Sequence, residues 1–340
     1  LSSDGPDASS ISNNEFIDNE FEHLGIGVSN DPTDLSGVIT GNTFTGTPSN
    51  ADEVSIYPLD GSNVITGTEH NDQFNGDQTQ TDAAQTFNGG AGDDLVRAGG
   101  GNDTVAGDAG NDILRGGSGN DYMIGGSGDD VLAGQDDDDS LFGGSGSDTV
   151  YGGSGSDLLH GNDGDDELRG DAGADALYGG LGMDLLAGGD DSDILHGGEG
   201  DDSLYGGSGD DSLEGSKGND ELRGDAGSDT LNGGRGDDLL IGGTGGDIYV
   251  IADDDGNDTI VGFSSGGDKI DSSDLSFFHS TVELDALAAS GGDAGKIDAG
   301  DFLGPVSVSG TLDLVIDFGN GSSLTLEQVS SLTSADFITI

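Results

Sequence analysis

The chain has 340 residues, with 68 acidic side chains against eight basic ones, a formal net charge of −60, 68 glycines and no cysteine. That charge excludes nucleic acid and anionic membrane surfaces as ordinary partners and demands counterions, while the missing thiols exclude disulfides and thiolate metal sites. No apolar run approaches the roughly 18 residues a membrane helix needs, so membrane insertion is not expected. Residues 1–20 have neither the basic start nor the apolar centre of a signal peptide.

Residues 1–66 are rich in Asn, Ser and Thr and carry a loose repeat, in which Ile11-Ser12-Asn13-Asn14-Glu15-Phe16 matches Ile39-Thr40-Gly41-Asn42-Thr43-Phe44. The same offset of 28 pairs Ile26 with Val54 and Val28 with Ile56, and a partial copy begins at Val64-Ile65-Thr66. Short strands recurring this way predict the terminal coils of a right-handed parallel β-helix, with Asn side chains bonding along the axis and Phe rings filling the core. The segment starts in mid-coil, so the chain is expected to be the C-terminal part of a longer protein. It resembles the β-helices of polysaccharide lyases and mannuronan C5-epimerases. The Asp-Pro-His motif of such epimerases is absent, because Asp31-Pro32 is followed by Thr33. Asp18, Glu20, Glu22 and His23 form a polar cluster that reads as a solvated loop, with acid/base chemistry as the alternative.

Residues 67–88 hold two irregular joining repeats. Gly67 to Asn75 has His70 where a glycine is expected, and Gly76 to Asn88 is a 13-residue copy read as an enlarged turn.

Residues 89–250 divide into 18 nonapeptides of the form G-G-x-G-x-D-x-U-x without a slip of register. The sixth position is always Asp: Asp94, Asp103, Asp112, Asp121, Asp130, Asp139, Asp148, Asp157, Asp166, Asp175, Asp184, Asp193, Asp202, Asp211, Asp220, Asp229, Asp238 and Asp247. The eighth is apolar in all 18, from Val96 to Tyr249, and the fourth is Gly in 16, with Asp137 and Asp191 the departures. A fixed period marks a solenoid whose single repeats cannot bury their apolar face alone. A disordered acidic linker would share the composition but not the phase.

Glycines at one, two and four let the chain bend, and residues seven to nine are expected to form a three-residue strand with the eighth side chain inward. Two nonapeptides make one coil. The fold class predicted is therefore all-β: a parallel β-roll of nine coils, with copies 18 residues apart stacked at about 4.8 Å. The Asp side chains then lie in two rows of like charges, whose neighbours repel by about 1 kcal/mol in water and ~3 to 4 kcal/mol at an effective dielectric of 20. The nonapeptide is similar to the calcium-binding repeat of RTX (repeats-in-toxin) proteins. Calcium accepts six to eight oxygens from flexible loops, and eight gaps per row imply about 16 ions, with the 18 Asp residues as ligands and folding coupled to the metal.

On the outer surface, Phe142, His160, Tyr178 and His196 form an aromatic column at the ninth position, and Arg97, Arg115, Arg169 and Arg223 hold that position on the opposite sheet. Such residues suit exposed strands; the alternative is stacking on sugar rings and pairing with acidic sugars.

Residues 251–340 read as a cap. Asp253, Asp254, Asp255, Asp258, Asp268 and Asp271 lie in a stretch that resembles the closing strand and loop of serralysin-type C-terminal domains, implying one or two further calcium sites. Residues 281–290 permit a short helix with Leu284, Leu287 and Ala288 on one face. Asp293 to Asp301 is like half an EF-hand in composition but lacks the twelfth-position Glu, so it reads as a loop. Leu312, Leu314, Ile316 and Phe318 alternate, Gly319-Asn320-Gly321 turns, and Leu324 with Leu326 returns as a hairpin. The final Asp336 to Ile340 resembles the uncleaved signal of type I secretion substrates.

No catalytic constellation stands in these residues. The chain reads as a secreted, extracellular or surface-attached calcium-binding module that meets a type I exporter and folds outside the cell. Two alternatives stay open: the rear of an extracellular enzyme acting on an acidic polysaccharide, and an adhesin or structural protein.

Overall fold

The computed structural model describes residues 11–12, 15–17, 39–40, 43–45, 55–56, 64–67, 71–75, 84–252, 256–264, 267–271, 296–298, 306–317, 323–332 and 337–338. The chain divides into two units, residues 1–163 and 164–340. The polar cluster Asp18 to His23, the pairs Ile26/Val54 and Val28/Ile56, most of the enlarged turn after Gly76, Asp253 to Asp255, the helix at 281–290 and the turn at Gly319 to Gly321 lie outside the described residues.

In the first unit each nonapeptide adds one strand of six residues, as in Thr104–Ala109, Ile113–Ser118, Tyr122–Ser127, Val131–Asp136 and Ser140–Ser145. This corrects the three-residue expectation. Positions seven to nine continue through the first three residues of the next copy, and the bend is confined to positions four to six. Pairing is parallel at a spacing of 18, with Thr104↔Tyr122, Val105↔Met123 and Ala106↔Ile124, then Asp108↔Gly126 and Ala109↔Ser127. The glycine pair therefore does not end the strand; it only skips the first-position pairing.

Glycine is favoured there for two reasons. Gly117 sits at φ +126°, and a Cβ on it would meet the carbonyl oxygen of Gly99 at 1.8 Å. At that angle the neighbouring coil leaves no room for a side chain, while Asp108, Gln135, Asn162, Asp171, Ser216 and Asp225 hold the same position of their copies at φ between +68° and +91°.

Period-two alternation turns the eighth side chains inward. Val96, Val105, Leu114, Met123, Leu132, Leu141, Val150 and Leu159 are all 0% exposed. Parallel pairing extends back through Ser55↔Gln73, Ile56↔Phe74 and Val64↔Thr86. Nearer the N-terminus Ile11↔Ile39 and Phe16↔Phe44 pair in parallel at the 28-residue offset.

The second unit repeats this pattern from Glu167–Ala172 to Ile248–Val250. Its core of leucines ends on Tyr249, 1% exposed, whose hydroxyl accepts the Gly242 N–H at 2.9 Å and whose ring lies 6.0 Å from Phe263. Beyond Val250 the register stretches: Leu240 pairs with Ile260 and Tyr249 with Ile270. The expected hairpin is present as Val306–Asp317 against Ser323–Leu332, antiparallel, with Ser323–Leu332 running parallel to Asn257–Val261. Leu324 and Leu326 are buried beneath it. Phe337 extends the other sheet by pairing with Ile270. Within the stretch read as a loop, Lys296–Asp298 is instead a strand, pairing Ile297 with Ile316; an apolar residue between two polar ones suits an edge strand better than a metal loop.

Leu132→Ala should cost about 2–5 kcal/mol of stability in saturating calcium, because the cavity opens in a core with no slack. Chemical denaturation followed by circular dichroism measures it.

Candidate metal centre

The sixth-position aspartates are as buried as the leucines. Asp94, Asp112, Asp130 and Asp148 are each 1–2% exposed, and Asp166 to Asp247 behave alike. Each carboxylate divides its two oxygens between different tasks. Oδ1 accepts the backbone N–H of the aspartate one coil earlier: Asp94 N–H to Asp112 at 2.7 Å, Asp112 to Asp130 at 2.7 Å, Asp121 to Asp139 at 2.7 Å, and in the second unit Asp184 to Asp202 and Asp202 to Asp220 at 2.8 Å. Oδ2 of all 18 is buried and, among the described residues, has no hydrogen-bond partner. A buried acceptor left unmet costs roughly 1–3 kcal/mol, more when charged.

Where Oδ2 goes is set by the first glycine. A Cβ on Gly107 would lie 2.1 Å from Asp112 Oδ2 and 2.7 Å from the Gly125 carbonyl; on Gly125, 2.4 Å from Asp130 Oδ2 and 2.6 Å from the Gly143 carbonyl; on Gly179, 2.3 Å from Asp184 Oδ2 and 2.6 Å from the Gly197 carbonyl. At these rungs the orphaned oxygen and the first-position carbonyl of the following coil thus converge on a cradle that the glycine leaves open; at Asp103 the first position is Ala98. No three Asp, Glu or His side chains converge on one point among the described residues, so a cation here would draw its remaining ligands from backbone carbonyls, which suits a hard divalent ion. The residues fit calcium on that ground.

Without a cation the rungs resist ionisation. Burial, opposed by the backbone N–H and reinforced by neighbouring carboxylates, pushes Asp94, Asp121, Asp130, Asp193 and Asp202 up to about 7. Asp139 is pushed up to about 8. Asp103, Asp184, Asp220 and Asp229 reach about 6.

Gln85 and a second ladder escaped the sequence reading, which placed Asp72 in an irregular joining repeat and Asp258 and Asp268 in the closing stretch without setting them as rungs of the rows. Asp72 and Gln85 precede the row, their N–H groups bonding Asp94 and Asp103 Oδ1 at 2.6 and 2.7 Å. Gln85 could have been found by counting back from Thr86-Phe87-Asn88 as positions seven to nine. Asp258 and Asp268 continue the series, accepting from Asp238 and Asp247 at 3.2 Å. At Asp268 the orphan disappears, since Oδ2 accepts the Ser264 N–H at 2.7 Å. The second ladder uses position five and runs the opposite way: the N–H of the later coil donates to the side chain of the earlier one, as in Asn111 to Asp93 at 3.0 Å, Asp129 to Asn111 at 3.0 Å and Ser147 to Asp129 at 2.9 Å.

The surface columns have structural partners. Phe142 and His160 stack at 4.9 Å with planes 6° apart, and Tyr178 and His196 at 5.1 Å and 10°. Within each pair the faces a sugar ring would need are turned on one another. Burial lowers the His160 pKa, and His196 Nδ1 lies 3.1 Å from Glu214. Arg169 pairs with Glu167 at 2.7 Å, while Arg223 pairs with Asp225 at 3.1 Å and lies over the Tyr205 ring. Arg97 and Arg115 are register neighbours on one sheet.

The sequence model of the RTX calcium-binding nonapeptide repeat matches residues 59–78, 80–114, 115–150, 151–186, 178–213, 187–222 and 214–249, more than half of the chain. The chain belongs to this RTX family. Among solved structures it is similar to the extracellular lipase LipA from Serratia marcescens, at 22% identity and a TM-score of 0.30, over 59% of this chain and 40% of that one. The RTX chain thus spans less than half the length of that lipase. No curated protein matches it at a significant level.

The pKa directions set a sign. In the metal-free fold the rungs sit above their ordinary value of 3.8, so the folded state binds more protons, and that contribution is full at low pH and lost as pH rises through about 6 to 8. Chelated protein should gain ordered β signal on acidification from about pH 8 to 5. Calcium affinity should fall over the same interval, about tenfold at pH 6 for each rung near 7 that must lose a proton. Calcium titrations at the two pH values check this; equal midpoints would contradict it.

Proposed function

We propose that this chain is a calcium-folded RTX module of a secreted protein, non-enzymatic in itself, in which the 18 aspartates from Asp94 to Asp247 and the first-position carbonyls hold about 16 calcium ions, one per gap between coils. The observation that carries the reading is the buried, unpartnered Oδ2 of the rungs, which at Asp94, Asp112, Asp130, Asp184, Asp193 and Asp220 lies beside the next coil's first-position carbonyl in a space that a glycine leaves free. Calcium removes the repulsion between rungs and satisfies the orphaned oxygens together. Metal binding then becomes folding free energy. A chain of net charge −60 stays expanded where calcium is scarce and suits export through a type I exporter, folding where calcium is near millimolar. Strands pairing at the 28-residue offset support reading residues 1–66 as β-helix coils carried on the roll, and the Asn257 to Ile338 strands as its cap. An acidic polysaccharide remains a partner of whatever the module is attached to, since the aromatic faces and two of the arginines are engaged within the chain.

Circular dichroism in excess chelator and in millimolar calcium tests the proposal. At about pH 8, where most rungs are ionised, an ordered β signal should require the metal, and an equal signal in both would end the reading. Asp130→Asn keeps an acceptor for the Asp112 N–H but removes a charge, so the calorimetric ion count should fall by about one or two and the folding midpoint should move to higher calcium. An unchanged count would remove Asp130 from the ligand set. Turnover of alginate or pectate by the calcium-loaded chain would overturn the non-enzymatic part alone.

A further inference from the structure

The turn at residues 134–139 departs from the repeat at its fourth position, as does one other of the 18 copies, the one with Asp191. Its fourth residue is Asp137, held at φ +77°, a region that L side chains enter at a cost. In ordinary coils the fourth-position N–H donates to the third-position carbonyl of the following coil, as from Gly101 to Ser118 at 2.8 Å, Gly110 to Ser127 at 2.9 Å and Gly128 to Ser145 at 2.8 Å. Gly119 donates instead to Asp137 Oδ2 at 3.0 Å. The carboxylate is thereby fixed against the coil that carries Asp121. The Oδ2 atoms of Asp121 and Asp139 are buried and unpartnered. Ser154 Oγ ties the same turn to the next coil through Asp136 Oδ1 at 3.3 Å.

Asp191 is the same departure without the same consequence. At its turn Gly173 still donates to the Asp190 carbonyl, at 3.2 Å.

We infer that Asp137 is an additional acidic group beside the calcium gap between Asp121 and Asp139, acting on the ion by its charge and not as a third carboxylate ligand, which makes this gap the tightest in the roll and the first to fill as calcium rises. Calcium affinity in oxygen sites is tuned over decades by the number of charges around the ion and the rigidity of the loop. Asp137 adds one charge and, through its bond to Gly119, some rigidity. The inference rests on the calcium ladder proposed above.

The test uses the full chain, stripped with chelator and titrated with calcium, read by calorimetry and by hydrogen–deuterium exchange of peptides covering 116–142 and 197–223. In the parent chain the 116–142 peptides should gain protection at the lowest calcium. In Asp137→Gly that protection should move to about tenfold higher calcium, while thermal stability at saturating calcium does not fall, because glycine relieves the φ +77° backbone. Asp137→Asn separates charge from hydrogen bonding and should lose most of the early filling. Asp191→Gly should leave the first step where it was. If 116–142 does not fill first, or Asp137→Gly leaves its midpoint in place while calcium still orders the roll, the inference is overturned and the ladder stands. If calcium orders no peptide, both fall.

Discussion

Each rung aspartate spends one oxygen on the preceding coil's backbone and leaves the other buried without a hydrogen-bond partner, and most of the architecture answers to that division. The Oδ1 bond fixes the vertical spacing and register, since the donor is the N–H of the equivalent residue 18 earlier, as from Asp112 to Asp130. The orphaned Oδ2 sits beside the first glycine and a carbonyl, where burial makes a bare negative charge expensive. A proton or a cation can relieve it. The hydrophobic core is one side chain per nonapeptide, thin beside such rows of carboxylates, which is why the proposed reading puts the metal inside the folding equilibrium and not on top of it.

Two ladders of opposite sense reinforce this. Position-six side chains accept from the coil before them, and position-five side chains accept from the coil after. A middle coil is held from both directions, whereas the ends are each missing one. At the C-terminal end the protein supplies a replacement, the Ser264 N–H on Asp268 Oδ2, and at the other Gln85 stands as a neutral rung ahead of Asp103. Both ends of the row from Asp103 to Asp247 thus finish on groups that ask less of a cation than the rungs between them, whereas the other row runs from Asp72 to Asp258 and carries a carboxylate at each end.

Much of this was legible in the sequence. The invariance of Asp94 through Asp247 and the apolar eighth positions fix the period, the coil and the buried face, because a repeat of nine with one inward side chain has few ways to fold. The hairpin around Leu314 and Leu324 was legible for the same reason of alternation. Strand length was not: the glycine pair looks like a breaker, yet Gly126 and Ser127 stay in register with Asp108 and Ala109, the second position being held at positive φ by glycine and aspartate alike. The position-five ladder was hidden by its chemistry, since Asp93, Asn111 and Asp129 share an acceptor oxygen but not an identity. Gln85 was hidden by the long copy before it, and the unequal use of Oδ1 and Oδ2 has no signature in letters at all.

The alternation of successive nonapeptides between two sheets has a consequence for how such an array can change length. Gaining or losing 18 residues returns every donor to an equivalent acceptor and every ring to its own stack. Gaining or losing nine keeps the rungs and the core but sends all later outward side chains to the opposite face, so that Phe142 and His160 would trade places with the Arg97 and Arg115 side of the molecule. The unit in which this protein can be edited without scrambling its surface is therefore the pair of repeats, not the repeat.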